Sequence, residues 1–410
     1  MRFTVTTATL PLFATALLVA GCSAAPQTDA QGFVIDPGFE AKLQEQLLDA
    51  KPGTIVLIPA GKFALTRSLS VAVPGVTIRG AGMDKSILSF ARQSSGAEGL
   101  LVTGDDFTLE DVAIEDSKGD ALKINGTKNA VMRRVRAEWT GGPKTSNGAY
   151  GLYPVQVTNV LIEGSVVRGA SDAGIYVGQS TNIIVRNNKA EGNVAGIEIE
   201  NSTGADVHDN IVTDNSGGIL VFNMPDLPVP GSKTRVFKNK VMANNHANFA
   251  TKGTAVASVP PGSGVIVNSN DDVEIFDNDL KDNQTANVII SSFYSLGFEA
   301  TRGIAAAYDP YPENVYVTGN RISGGGTNPG ARYAPLKALG GGALPAVLWD
   351  GFTNPKLAKP GICVQNGEAK LLNIDAAHKF AGARLDDSVN CAPANRLPTI
   401  SLPAAMIEKR

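Results

Sequence analysis

The chain is poor in the residues that build metal and nucleophilic centres. It has three histidines, three cysteines and two tryptophans in 410 residues. His208, His246 and His378 are far apart in sequence, and no cysteine has a CxxC partner or a histidine at ligand spacing, so no zinc-type site is expected. The sequence calls for no cofactor, although a calcium ion held by oxygen ligands is not excluded. Neither sign of charge dominates: 36 Lys and Arg stand against 39 Asp and Glu. No basic run is present, which argues against nucleic acid as a partner. After the first 22 residues no apolar run is long enough to span a bilayer.

What is present is a repeat. Ala173-Gly174-Ile175-Tyr176-Val177, Ala195-Gly196-Ile197-Glu198-Ile199 and Gly217-Gly218-Ile219-Leu220-Val221 follow one another at a spacing of 22 residues. Asn188 and Asn210, and likewise Asn193 and Asn215, recur at the same interval. A fixed period in this range signals a stacked solenoid. The runs are short and β-rich, alternate apolar with polar, and are punctuated by Gly and Asn, so the coils are made of strands and not helices. Stacking them places Ile175, Ile197 and Ile219 in one inward column, with Tyr176 and Glu198 facing out to solvent. Asparagines at the bends tolerate left-handed backbone and can hydrogen-bond up the stack as a ladder. The predicted fold is all-β, a right-handed parallel β-helix.

Strands preceding each Asn marker extend the array from Val76-Thr77-Ile78 to Val315-Tyr316-Val317. Asn239 with Asn244 and Asn278 with Asn283 keep their internal spacing while the coil period stretches, so the extra residues enter loops. About ten coils at about 4.8 Å each predict a rod on the order of 50 Å long. Phe39, Leu43 and Leu47 mark an amphipathic helix within residues 37–50, placed to cap the first open coil. Gly324-Gly325-Gly326 and Gly340-Gly341-Gly342 then break the pattern. The predicted organisation is therefore a β-helix over residues 36–325 and an irregular extension over 326–410.

Residues 1–21 form an export signal, with Arg2 ahead of an apolar stretch from Leu10 to Ala20. Its end, Leu18-Val19-Ala20-Gly21-Cys22, resembles the bacterial lipobox, in which the cysteine is acylated. The resemblance implies a lipid-anchored envelope protein with residues 22–35 as lipidated Cys and tether, and Ser23 resembles an outer-membrane sorting signal. With Cys22 acylated, Cys363 and Cys391 remain as an even pair in an oxidising compartment, where a disulfide is expected.

The Gly-Ile-x-Ile/Val runs, the Asn-x4-Asn elements and the entry segment Lys51-Pro52-Gly53-Thr54-Ile55-Val56-Leu57-Ile58-Pro59 resemble the pectate-lyase-like superfamily of right-handed β-helices. Within it the chain is similar to exported bacterial β-helix repeat proteins of the NosD and mannuronan C5-epimerase group. That resemblance implies a polysaccharide partner, most often an acidic one, that is cleaved by elimination, hydrolysed or epimerised. The usual catalytic signatures are missing. There is no Gly-His-Gly, no Asp-Pro-His-Asp and no pectate-lyase-type aspartate ladder.

The outward row of the strand that opens each coil is the remaining candidate: Lys123, Tyr153, Tyr176, Glu198 and Leu220, one per coil. Lys123 is placed to neutralise a uronate carboxylate and Tyr153 or Tyr176 to move the C5 proton, provided that Lys123 depresses a phenol from its ordinary value near 10. Tyr, Lys and Glu are also ordinary residues on a solvated strand face. Loops entering this row, from Trp139 to Gly148 and from His246 to Ser263, add His246 as an acid or base and Trp139 as a sugar contact. Arg186 is a further substrate contact. The function expected is binding of an acidic polysaccharide, with lyase or C5-epimerase chemistry if the protein is an enzyme. The alternative is a non-catalytic envelope scaffold that binds glycan or protein.

Overall fold

A computed structural model describes residues 27–295, 308–386 and 396–408, together with Met1. Cys22, Cys391 and the export signal lie outside the described residues. No helix among the described residues is long and apolar enough to cross a membrane.

The chain winds into coils with three flat faces. The first two faces are joined at the bends into a sheet of 19 strands, and the third face is a separate sheet of 12 strands. Neighbouring strands pair in parallel from coil to coil, except for Arg384–Asp386, which closes the third face antiparallel to Leu371–Asn373. The array thus has more turns than the ten expected. The additional strands come partly from beyond residue 325, where Val347–Trp349, Cys363–Gln365 and Leu371–Asn373 continue the parallel ladders.

The inward column follows the repeat. Ile175 pairs with Ile197, Ile197 with Ile219, Ile219 with Val265 and Val265 with Val288. Each is fully buried. Helix α1 (Phe39–Leu48) lays Leu43 and Leu47 on the open end of this interior, and Phe39 stacks on Phe63 at 3.8 Å. It is the cap that the i, i+4, i+8 spacing predicts.

Asparagine ladders hold two corners, one between the first and second faces and one between the second and third. The Nδ2 of Asn188 donates to Asn210 Oδ1 (3.0 Å), Asn210 to Asn239 (2.9 Å), Asn239 to Asn278 (3.0 Å), Asn278 to Asn320 (2.9 Å) and Asn320 to Asn366 (2.9 Å). A second ladder runs Asn193, Asn215, Asn244, Asn283. The sequence separations between partners in the first ladder grow from 22 to 46 while the bonds keep their length. Insertions have therefore gone into loops, because removing one rung would strand buried amides at about 1–3 kcal/mol each. The residue before four of the positions of the first ladder turns left-handed: Asn187, Asp209, Lys238 and Asp277 have φ of 54–56°.

Candidate functional site

On the third face the outward row has the register read from the repeat. Tyr153 pairs with Lys123, Tyr176 with Glu198 and Glu198 with Leu220. Its exposure differs from expectation. Tyr176 is 5 % exposed, Glu198 2 % and Leu220 not at all. An outer apolar layer covers them, in which Val256 and Val259 of the loop after His246 pack with Ala195, Leu220 and Ile266. The second half of the row is thus roofed, and only Lys123 and Tyr153 remain half-exposed. The cleft is shorter than an open groove along all the coils.

At its mouth stand three phenols. Tyr150 lies 4.5 Å from both Tyr153 and Tyr176, ring centre to ring centre, and Tyr153 meets Tyr176 edge-on at 5.0 Å. Lys123 Nζ sits 5.2 Å above the Tyr153 ring and 4.0 Å from Glu98. Three carboxyls that were not singled out in the sequence converge here. Asp120 accepts the Tyr150 backbone N–H at 3.2 Å, and Asp172 and Glu200 stand close enough to the Tyr150 and Tyr176 hydroxyls for these to favour their ionised forms.

Burial, with Lys123 as the cation at one edge, sets the electrostatics. Desolvation, with the nearby carboxylates Glu200 and Asp120, pushes Asp172 up to about 7, and desolvation pushes Glu200 up to about 7 against the pull of the Tyr176 hydroxyl. Asp120 rises to about 6, again by desolvation, partly offset by the Tyr150 N–H and Lys123. Glu198 is raised well above the ordinary carboxyl value by burial and by Glu200 and Asp172, and its Oε2 has no hydrogen-bond partner. The site therefore holds protons at neutral pH. The same forces act against phenolate. Burial, then Asp120 and Glu200, push Tyr153 up to about 12, and Tyr176 goes further in the same direction. Lys123 does not activate a tyrosine as a base, contrary to the role expected of it.

The other candidates lie elsewhere. Trp139 is 5 % exposed within the interior core, and its Nε1–H donates to the Ser117 carbonyl at 2.8 Å, so it is a packing residue and not a sugar platform. Arg186 projects from the first face, where it clasps Glu163 at 2.6 Å. His246 faces Asp214 at 3.9 Å and the edge of Phe249. Cys363 is buried in a strand of the first face, and its expected partner Cys391 lies outside the described residues. Asp172 and Glu200 flank the Gly-Ile repeat at its turn ends. Their signal in the sequence was a carboxylate adjoining the outward row in each of two successive coils.

Residues 75–233 match the family described as right handed beta helix region. No curated protein matches the chain in sequence. Among solved structures, the chain is similar to the A-module of Azotobacter vinelandii mannuronan C-5 epimerase AlgE4, at 17% identity and TM-score 0.49 over 80% of this chain and 90% of that one. The AlgE6 A-module of the same organism gives 16% identity and TM-score 0.49 over 80% and 87%. A DFA-IIIase from Arthrobacter chlorophenolicus A6 in complex with GF2 gives 11% and 0.42 over 80% and 87%. By its ladders the chain folds as a parallel β-helix, and residues 75–233 match the right-handed form of that fold.

Proposed function

We propose that the cleft at Lys123 and Tyr153 binds a uronate-containing polysaccharide and moves protons on it. The observation that carries this reading is the meeting of one cation, one half-exposed phenol and carboxyls that burial pushes up to about 7. Protonated carboxyls can donate hydrogen bonds to a uronate carboxylate, and Lys123 can neutralise it. A group titrating near the working pH is suited to general acid–base chemistry. In this assignment an ionised Asp172 or Glu200 takes the C5 proton, and Tyr153, still protonated, is the acid. In elimination the C5–H and C4–O4 bonds break, the C4=C5 bond forms and the leaving oxygen takes the tyrosine's proton. In epimerisation a proton returns to C5 on the opposite face. This chemistry calls on no cofactor. On the lipobox reading of Cys22 we assign the protein to the bacterial cell envelope, and on the reading of Ser23 as a sorting signal to the outer membrane; a Cys363–Cys391 disulfide fits that compartment.

The test is incubation with alginate, polygalacturonate and glycosaminoglycans. Absorbance of unsaturated uronate reports elimination, and NMR of the intact polymer reports epimerisation. Tyr153→Phe should lower turnover by about 10²–10⁴-fold, the usual contribution of a positioned acid, without changing the fold. Undiminished turnover in that variant would remove Tyr153 from the chemistry. Glycan retention without turnover, weakened by Tyr153→Ala, would favour the non-catalytic binder.

A further inference from the structure

The first face carries an occupant of its own. Residues 396–408 cross its outward side chains, running from the coil of Glu274 back toward that of Ile55. The Leu397 N–H donates to Glu274 Oε1 at 2.9 Å and the Ile400 N–H to Asp206 Oδ2 at 3.2 Å. In the other sense Arg133 donates to the Met406 carbonyl at 2.9 Å and Arg235 to the Leu397 carbonyl at 3.5 Å. Carboxylates thus meet the segment's N–H groups and guanidiniums its carbonyls, which is recognition of polypeptide backbone by side chains. Leu402 and Met406 add apolar contact on Val131, Leu161 and Ile184.

One position is shaped for the segment. Asn159 and Asn182 stack at the left-handed corner of successive coils, at φ 65° and 56°, with Asn182 Nδ2 donating to Asn159 Oδ1 at 3.2 Å. One coil further the register puts Gly204 there, also left-handed at φ 77°. A Cβ at Gly204 would lie 3.2 Å from Ile400 Cδ1. The glycine interrupts the asparagine stack where Ile400 is seated. Past Met406 the channel runs on as a cavity of about 250 Å³ toward Ile55, Thr77 and Arg79.

We propose that this track is a receptor for an extended polypeptide whose ligand is the segment Arg396–Glu408, held in cis and exchangeable for the same segment of a second copy. The proposal is independent of the polysaccharide reading. A tethered ligand acts at an effective concentration up to the millimolar range, so exchange becomes measurable when the cis contacts are weakened.

A fluorescent peptide of residues 396–408 is titrated into three full-length proteins and followed by anisotropy. They are the parent, the Leu402→Asp/Met406→Asp variant, and that variant with Gly204→Asn added. The double variant should bind the peptide saturably and at least tenfold tighter than the parent. Gly204→Asn should remove at least tenfold of that affinity while circular dichroism and melting stay unchanged, because asparagine accepts the left-handed backbone as it does in the two coils before. Absence of saturable binding by the folded double variant would overturn the proposal. Binding that Gly204→Asn leaves intact, or equal binding by the parent, would do so as well.

Discussion

The first and third faces of the rod stack charged residues on the same scaffold with opposite outcomes. On the first face Arg79, Glu110, Arg133, Glu163 and Arg186 occupy one outward column and alternate in sign. Burial raises Glu163, but hydrogen bonds from Arg133 and Arg186 outweigh it and hold the carboxyl below its ordinary value. On the third face Glu198 and its neighbours Asp172, Glu200 and Asp120 gather around three phenols with Lys123 at one edge, and every carboxyl is pushed up. A repeat can place any residue in a column at about 4.8 Å spacing. Alternating the signs makes the column part of the structure, and leaving them unmatched makes it a store of protons. Unmatched buried charge costs stability, so it marks the third face as the place to look for chemistry.

The comparison can be broken on the first face. Glu163→Ala leaves Arg133, whose side chain is 7% exposed, without its partner at 2.6 Å. Urea unfolding should show a loss of about 3 kcal/mol, as when one member of a buried ion pair is removed. A loss below about 1 kcal/mol would put this column in the class of surface pairs.

The third face should respond with the opposite sign. A carboxyl whose folded value is raised keeps its proton where the unfolded chain, titrating near 4, has lost it. The folded state then binds more protons, and stability falls as pH rises from about 4 upward, to about 7 for Asp172 and Glu200. Glu198→Gln removes the ionisation that burial opposes. The variant should melt above the parent at pH 8, with the gap closing as the pH is lowered to 5. Equal melting at both values would mean that Glu198 is not a strained carboxyl.

The smallest effect is expected at Lys123. Lys123→Met loses the contact with the Tyr153 ring at 5.2 Å, worth about 0.5–1 kcal/mol of stability at a partly exposed site. Retention of polyuronate should fall much more than stability does. Equal small changes in both would make the lysine a packing residue.

Much of the first-order architecture was legible. Ile175, Ile197 and Ile219 stack as their spacing predicts, the asparagine ladders form, and Leu43 and Leu47 cap the open end. Alternation identifies which side chains leave the interior, but it does not say what covers them. Tyr176 and Glu198 were expected in solvent and are buried, Tyr176 against Tyr150 and Tyr153, within an outer apolar layer to which Val256 and Val259 come from a segment with no repeat. Trp139 opens a loop, yet it turns its ring into the core because the Ser117 carbonyl there takes its N–H. The Arg and Glu column of the first face escaped notice because the separations between its paired members, such as 31, 30 and 23 residues, hide the register. Asp172 and Glu200 look like turn carboxylates in sequence. Only the packed phenols reveal the burial that changes their protonation.

The most direct test of the central claim is the pH dependence of polyuronate retention by the parent and by an Asp172→Asn/Glu200→Gln variant. The parent should hold the polyanion below about pH 6 and release it as the pH rises through about 7, while the variant holds it throughout. Retention by the parent that is flat from pH 5 to pH 8 would contradict the account, because the carboxyls of the third face would then not be carrying protons.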